Sequence, residues 1–140
     1  MLARRELSEA QVRQRLARRG HSEEDIEDAI ARLREGRAID DARVAEAIAR
    51  TETALRRRGK RRVKLQIERA GISSSLAKKV VDETFEAIDP DALIEASLAR
   101  RLRGREAIAD DREAQRLYRY LIGQGFDHDG VQAVLRKHRA

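Results

Sequence analysis

The chain has 140 residues and a mass of 16.0 kDa; 40% of its residues are charged, 3% are aromatic, and it contains no cysteine. This length suits one compact domain or a short array of small repeats, and the lack of cysteine excludes disulfides, thiolate metal sites and a cysteine nucleophile. The net charge of +6 and the pI of about 10.3 favour a nucleic acid, an acidic protein or an anionic lipid as partner.

The first predicted element is a helix–turn–helix pair centred on Gly20, and the same pattern recurs around Gly71 and Gly125. Apolar residues stand eight and four positions before each glycine, on one face of a helix that ends there. Glycine suits a left-handed C-terminal stop, and a serine or aspartate two positions later is a typical N-cap. The apolar pairs are Val12 and Leu16, Val63 and Ile67, and Leu117 and Leu121; the caps are Ser22, Ser73 and Asp127. The glycines are 51 and 54 residues apart, which predicts three tandem copies of one unit.

A further helix precedes the second and the third pair. Asp40 is the predicted N-cap of one, and Asp89 caps the other, with Pro90 in the first turn. Their apolar faces are formed by Val44, Ile48 and Leu55, and by Ile94, Leu98 and Leu102. The first pair is preceded only by the stub Met1–Glu6, so each unit has three helices and the first helix of unit one is shortened.

The predicted fold is therefore all-α, an elongated and curved array of three tandem three-helix repeats, because each unit alone buries little and must stack on its neighbours. We expect the repeats to span residues 1–36, 37–87 and 88–140, which together form one elongated repeat domain. The longest non-periodic stretch, Gly104–Asp111, is the predicted hinge.

Positive charge concentrates in Arg56–Lys64, which holds seven basic residues in nine. A second cluster at the end of a predicted helix contains Arg100, Arg101, Arg103 and Arg105. Cations at a helix C-terminus complement the helix dipole, and this is the structural alternative for the second cluster. Seven like charges repel one another, so the first cluster favours an anionic partner, either a phosphate backbone or an acidic groove on another protein.

The sequence shows no pattern typical of an active site. It has no GxxxxGK[ST] or GxGxxG loop, and His21, His128 and His138 lack the spacing of metal ligands. The pair Asp40–Asp41 is better explained as a helix cap and a first-turn acid than as a catalytic dyad. The acidic start of the second helix in unit one, Glu23–Asp28, would repel phosphate and disfavours helix-turn-helix reading of DNA. We expect no enzyme, no cofactor, no metal and no small-molecule substrate.

No segment of the sequence is typical of membrane insertion or secretion. No apolar run approaches the roughly 18 residues of a membrane-spanning helix, and the first residues contain no apolar stretch of signal-peptide length. We therefore expect a cytoplasmic protein with no membrane partner.

Five segments form an ordered set of motifs: Leu2–Ser8, Leu16–Gly20, Gly36–Glu46, Arg58–Ile72 and Leu117–Phe126. The most specific of them is Asp40-Asp41-x-Arg43, followed about 20 residues later by the basic helix and Gly71-Ile72. In this order, over nearly the whole chain, they resemble the RecX family, bacterial regulators of the RecA recombinase. The chain departs from the family pattern at Val44, where members usually have an aromatic residue.

The resemblance implies a monomeric or modestly associating modulator that lodges in the helical groove of the filament of RecA on single-stranded DNA. It would inhibit ATP hydrolysis, strand exchange and the co-protease activity of RecA, with no catalytic residues of its own. From charge density alone, we predict that the contact residues are Arg57, Arg58, Lys60, Arg61, Arg62 and Lys64, followed by Arg101 and Arg105. Two alternatives are a repeat protein that binds nucleic acid directly without RecA, and a scaffold of stacked helices that binds neither.

Overall fold

The structure is a computed structural model that describes residues 6–139. These residues form eight α-helices, and their only β-type pairing is an isolated bridge between Ile108 and Arg139. The helices are α1 (Glu9–Arg18), α2 (Glu23–Glu35), α3 (Asp41–Ala54), α4 (Lys60–Arg69), α5 (Ser74–Glu86), α6 (Pro90–Leu102), α7 (Asp111–Gly123) and α8 (His128–His138). The all-α prediction is thereby confirmed. No helix in residues 6–139 has the length and apolar character needed to cross a bilayer.

The predicted turns and caps form as the sequence indicated. The turn glycines Gly20, Gly71 and Gly125 have φ angles of +88°, +86° and +97°, in the left-handed region that disfavours other residues. Side-chain oxygens of the predicted caps accept backbone N–H groups one turn later in α2, α3, α5 and α8, and Asp89 caps α6 just before Pro90. Local capping therefore sets most of the helix starts.

The helices pack in three groups, each around its own apolar core: unit one (α1 and α2), unit two (α3–α5) and unit three (α6–α8). Buried residues of the three cores include Ile26 and Ile30, Val63 and Ile67, and Leu121 and Val131. The repeat boundaries 1–36, 37–87 and 88–140 stay a prediction. Of the predicted N-terminal stub, Met1–Arg5 lies outside the described residues, and Glu6 is not helical.

Each later unit lies against the preceding one through its turn glycine. A Cβ atom on Gly71 would lie 2.5 Å from the Cβ atom of Ala10 in α1, and one on Gly125 would lie 2.3 Å from the backbone nitrogen of Arg62 in α4. At Gly20, the equivalent glycine of unit one, no atom of residues 6–139 other than its chain neighbours lies within 4 Å of this position. The units therefore follow one another in a row, in an elongated molecule. Its accessible surface of 9655 Å² exceeds the value of about 7,400 Å² expected for a compact monomer of this mass.

One prediction about an individual side chain is wrong, and one about a segment stays a prediction. Leu55 was placed on the apolar face of α3, but α3 ends at Ala54 and the Leu55 side chain is 67% exposed. The hinge at Gly104–Asp111 stays a prediction, and this segment contacts the end of α8. Ile108 in its middle is buried, and its backbone N–H donates to the carbonyl oxygen of His138 at 2.7 Å.

Candidate functional site

The basic cluster Arg56–Lys64 lies in the α3–α4 loop and the first turns of α4, where unit two meets unit three. The backbone N–H of Gly59 donates to the carbonyl oxygen of Gln124 at 2.8 Å, and that of Arg61 donates to the carbonyl oxygen of Gly125 at 3.2 Å. These bonds satisfy helix-start N–H groups in α4, which has no side-chain cap. The turn of unit three thereby fixes the position of the basic helix in unit two.

Arg58 is held inside this joint by an ion pair. Its Nη1 atom lies 2.8 Å from Oε1 of Glu52, a carboxylate that is only 5% exposed, and its Nε atom donates to Oε1 of Gln124 at 3.2 Å. Arg56 reaches the other oxygen of Glu52 at 3.3 Å from the solvent side. A buried carboxylate needs such partners because burial disfavours an isolated charge. Arg58 is therefore a structural residue as well as a predicted contact residue.

Arg57 and Arg62 place two more guanidinium groups in the joint. Arg57 has a φ angle of +53°, a left-handed conformation that costs a non-glycine residue about 1 kcal/mol or more. Arg62 donates from Nη1 to the carbonyl oxygen of Gly123 at 3.3 Å. The Nε atoms of both arginines are buried without a hydrogen-bond partner among residues 6–139. Because these two Nε atoms are buried, they are not available to a partner at the surface.

The second predicted cluster reaches the same joint from α6. Arg100 donates from Nη2 to the carbonyl oxygen of Leu55, and the guanidinium carbon of Arg101 lies 4.0 Å from the centre of the Tyr120 ring. Two basic segments that lie more than 35 residues apart in sequence thus meet in one place. We call this surface the basic joint; it comprises residues 56–64 with Glu52 beneath them, Arg100 and Arg101, and the turn 123–125.

The exposed cations of the basic joint are Arg56, Lys60, Arg61, Arg100 and Arg101, and Lys60 and Arg61 are the two that lie in the first turn of α4. Lys60 lies 3.8 Å from a carboxylate oxygen of Asp82 and 5.9 Å from the centre of the Phe85 ring. Exposed contacts of this kind stabilise the fold by less than about 1 kcal/mol and leave the cation available to a partner. Lys64 is half-buried and lies 3.9 Å from Glu68.

Arg105, the last of the predicted contact residues, has a different environment. Its guanidinium makes two hydrogen bonds to the carboxylate of Glu113, at 3.0 and 2.7 Å. Together with the N–H of Ala109, this fork lowers the pKa of Glu113 to about 2. Arg105 therefore anchors the loop between α6 and α7, and no contact places it at the basic joint.

Sequence reasoning missed two members of the joint. Arg100 was recognised as part of a cluster but not selected, because only the folded chain brings it to Leu55. Glu52 was also missed, since a single glutamate in a charged helix gives no sign in sequence that it is buried beneath two arginines.

The basic joint has the properties of a polyanion-binding surface. It combines exposed cations with half-buried arginines, and Glu52 is the one buried carboxylate beneath it. Guanidinium groups bind phosphate and carboxylate through paired N–H groups. No cluster of three or more potential metal ligands occurs in residues 6–139.

Comparison with known proteins gives a consistent result. A family model described as "RecX, first three-helix domain" matches residues 1–33. The "Regulatory protein RecX" of Halorhodospira halophila is 34% identical over 135 residues, covering 96% of this chain and 81% of that protein. The "Regulatory protein RecX" of Neisseria meningitidis serogroup A is 30% identical over 137 residues, covering 97% of this chain and 84% of that protein.

Solved structures agree in fold. The crystal structure of RecX from Lactobacillus salivarius superimposes with a TM-score of 0.68 at 21% identity, covering 94% of this chain and 84% of that one. A second crystal structure, of "regulatory protein RecX", gives a TM-score of 0.71 at 21% identity, covering 91% of this chain and 63% of that one. At this identity, the likeness concerns the fold alone.

Proposed function

The chain belongs to the RecX family of regulatory proteins, and we propose that it regulates a RecA recombinase by binding the filament that RecA forms on single-stranded DNA. Binding inhibits ATP hydrolysis, strand exchange and co-protease activity. The protein acts as a monomer in the cytoplasm and needs neither a cofactor nor a small-molecule substrate.

The observation that carries this proposal is the basic joint. A nucleoprotein filament presents phosphates and acidic side chains in a long groove, and an elongated molecule with cations at mid-length fits such a groove better than a compact one. Lys60 and Arg61 supply exposed charge, and Arg57 and Arg62 add two half-buried guanidinium groups beside them. We propose these four residues and Arg101 as the filament contacts.

The remaining predicted contacts have secondary roles in this proposal. Arg58 orients the loop through Glu52 and Gln124, and its charge is largely balanced there. Lys64 continues the basic face of α4 beside Glu68. Arg105 supports α7 at a distance from the contact surface through Glu113.

Charge neutralisation tests the proposal. The double variant K60Q/R61Q removes two exposed charges whose only contacts are at the surface, so stability should change by less than about 1 kcal/mol. Affinity for preformed RecA filaments should fall about ten-fold, equivalent to about 1.4 kcal/mol, in fluorescence anisotropy at fixed salt. The control R32Q/R50Q removes the same charge from exposed positions in α2 and α3 and should bind as the unaltered protein does.

The salt dependence of binding separates this function from direct nucleic-acid binding. Binding to bare single-stranded DNA should weaken with salt by a slope of about −0.7 per phosphate contact. A protein that binds bare DNA as tightly as the filament, with the same slope, would instead be a direct nucleic-acid-binding repeat protein. An unchanged filament affinity of K60Q/R61Q would show that the basic joint does not contact the filament.

A further inference from the structure

The groove between the second and third helices of a unit can be compared across all three units by counting from the turn glycine. In unit one, this groove lies between α1 and α2 and is crossed by ion pairs. Arg13 contacts Glu9 at 3.2 Å and also pairs with Glu27 across the groove, while Arg34 pairs with Glu9. Two carboxylates of the chain itself thus lie between the arginines.

In unit two, the groove lies between α4 and α5 and is again occupied by the chain's own side chains. Asp82 lies 2.8 Å from Nζ of Lys78 and 3.8 Å from Nζ of Lys60. Lys60 also lies over the ring of Phe85 at the end of the groove. A carboxylate therefore separates the cations here as well.

Unit three lacks these carboxylates. The positions of Glu9, Glu27 and Asp82 are taken in unit three by Ala114, Gln132 and Arg136. The α7–α8 groove has a volume of about 530 Å³ and is lined by Arg119, Arg136 and Arg139. Its one acidic lining residue is Asp111, which pairs with Arg139. Arg119 and Arg136 are exposed, and neither makes an ion pair within residues 6–139.

We propose that the α7–α8 groove binds an acidic peptide segment of a partner protein, whose carboxylates take the places that Glu9, Glu27 and Asp82 fill in the other units. Carboxylates are the favoured occupants because each of the other two grooves holds carboxylates of the chain itself beside its cations, Glu9 and Glu27 in unit one and Asp82 in unit two. Arginine forks bind them bidentately. The amides of Gln115 and Gln132 line the groove and can hydrogen-bond a peptide backbone.

The groove is distinct from the surface of the proposed function. The basic joint lies at the turn 123–125, whereas the groove runs along α7 and α8 away from that turn, from Arg119 to Asp111 and Arg139. Over the nine residues Asp111–Arg119 of α7, the groove is about 12 Å long, sufficient for a few residues of extended peptide. The two sites can therefore be tested separately.

The test uses a fluorescein-labelled hexaglutamate peptide and the full-length protein, in the absence of RecA, with anisotropy as the readout. R136D introduces an aspartate at the position where unit two has Asp82. This change should weaken hexaglutamate binding about five-fold or more. K137D also replaces a cation by aspartate on the last turn of α8, but at a residue outside the groove lining. Its affinity for hexaglutamate should stay within about two-fold of that of the unaltered protein. R119Q, with R116Q as its control on α7, gives a second matched pair, and thermal unfolding checks the fold of all four variants.

Three results would overturn the proposal. The first is equal binding of hexaglutamate by R136D and K137D, with R119Q and R116Q also equal. The second is a larger loss from K60Q/R61Q than from R136D, which would assign the binding to the basic joint. The third is a labelled hexathymidylate that binds more tightly than hexaglutamate and responds more strongly to R136D, which would make the groove a nucleic-acid site. None of these results bears on RecA inhibition, which is measured separately.

Discussion

Gly59 and Gly125 lie in direct backbone contact although they are 66 positions apart in sequence, and a Cβ atom on Gly59 would lie 2.6 Å from the carbonyl oxygen of Gly125. This contact joins unit two to unit three and places the start of α4, with its cations, on the turn between α7 and α8. The basic joint thus depends on two residues without side chains.

Substitution of Gly125 by alanine should destabilise the protein strongly. A Cβ atom there would lie 2.3 Å from the backbone nitrogen of Arg62, and the φ angle of +97° is also unfavourable for alanine. We expect a loss of about 3 kcal/mol in the free energy of unfolding, measured by urea denaturation. Gly20→Ala has a similar φ angle of +88° but open space around the Cβ position, so only about 1 kcal/mol should be lost. Equal losses for the two variants would show that the close contact adds nothing.

Removal of the Glu52 carboxylate should leave the Arg58 guanidinium without its counterion. The Arg58 side chain is only 15% exposed, so its charge is poorly solvated once the partner is lost. Glu52→Ala should cost about 3 kcal/mol in urea denaturation. Glu46→Ala, an exposed position on the same helix, should cost less than about 0.5 kcal/mol. A Glu52 variant as stable as the Glu46 variant would refute the structural role of this pair.

Arg57→Gly should separate binding from stability. Glycine adopts the left-handed φ of +53° without strain, which offsets the loss of the half-buried side chain. The free energy of unfolding should stay within about 1 kcal/mol of the original value, while affinity for the RecA filament falls. Arg103→Gly makes the same change at a φ angle of +52° outside the basic joint, and its filament affinity should not change. An equal loss of filament affinity in both variants would show that overall charge, and not the position of Arg57, determines binding.

His138 predicts a pH dependence of stability. Burial lowers the pKa of His138, but hydrogen bonds to the Glu106 carbonyl and the Glu95 carboxylate outweigh it, so the pKa is raised. A raised folded-state pKa stabilises the protein fully below the unfolded value of about 6.5, and this contribution is lost as pH rises through the folded pKa. The stability difference between the original protein and His138→Gln should therefore be larger at pH 6 than at pH 9.

Glu95→Gln is the matched control for this titration. It leaves the imidazole in place and removes the carboxylate 2.7 Å from Nε2, so most of the extra stability at acid pH should disappear as well. A stability difference that grows with rising pH in denaturation experiments would contradict the assignment.

The sequence predicts those features that depend on neighbours within about one helical turn. The turn glycines, the caps Ser22, Ser73 and Asp127, and the apolar faces all follow from local spacing. The end of α3 at Ala54 could not be derived in this way, and Leu55 was therefore wrongly placed on its apolar face. The contact of Gly104–Asp111 with the end of α8 could not be derived either, because it joins Ile108 to His138, far along the chain.

The candidate site could be predicted in its charge but not in its arrangement. Charge density identified Arg56–Lys64 and the α6 arginines separately. Their meeting depends on the contact of Gly59 with Gly125, and the burial of Glu52 depends on the same packing. The missing carboxylates of unit three become visible only when the ion pairs of units one and two are known.

The most direct test of the central claim is the rate of ATP hydrolysis by RecA on single-stranded DNA, titrated with this protein at fixed moderate salt. The account predicts inhibition at less than one copy per RecA monomer, with K60Q/R61Q needing about ten-fold more protein for the same effect. An unchanged rate of hydrolysis at an excess of this protein over RecA would contradict it, and would favour direct nucleic-acid binding as the function.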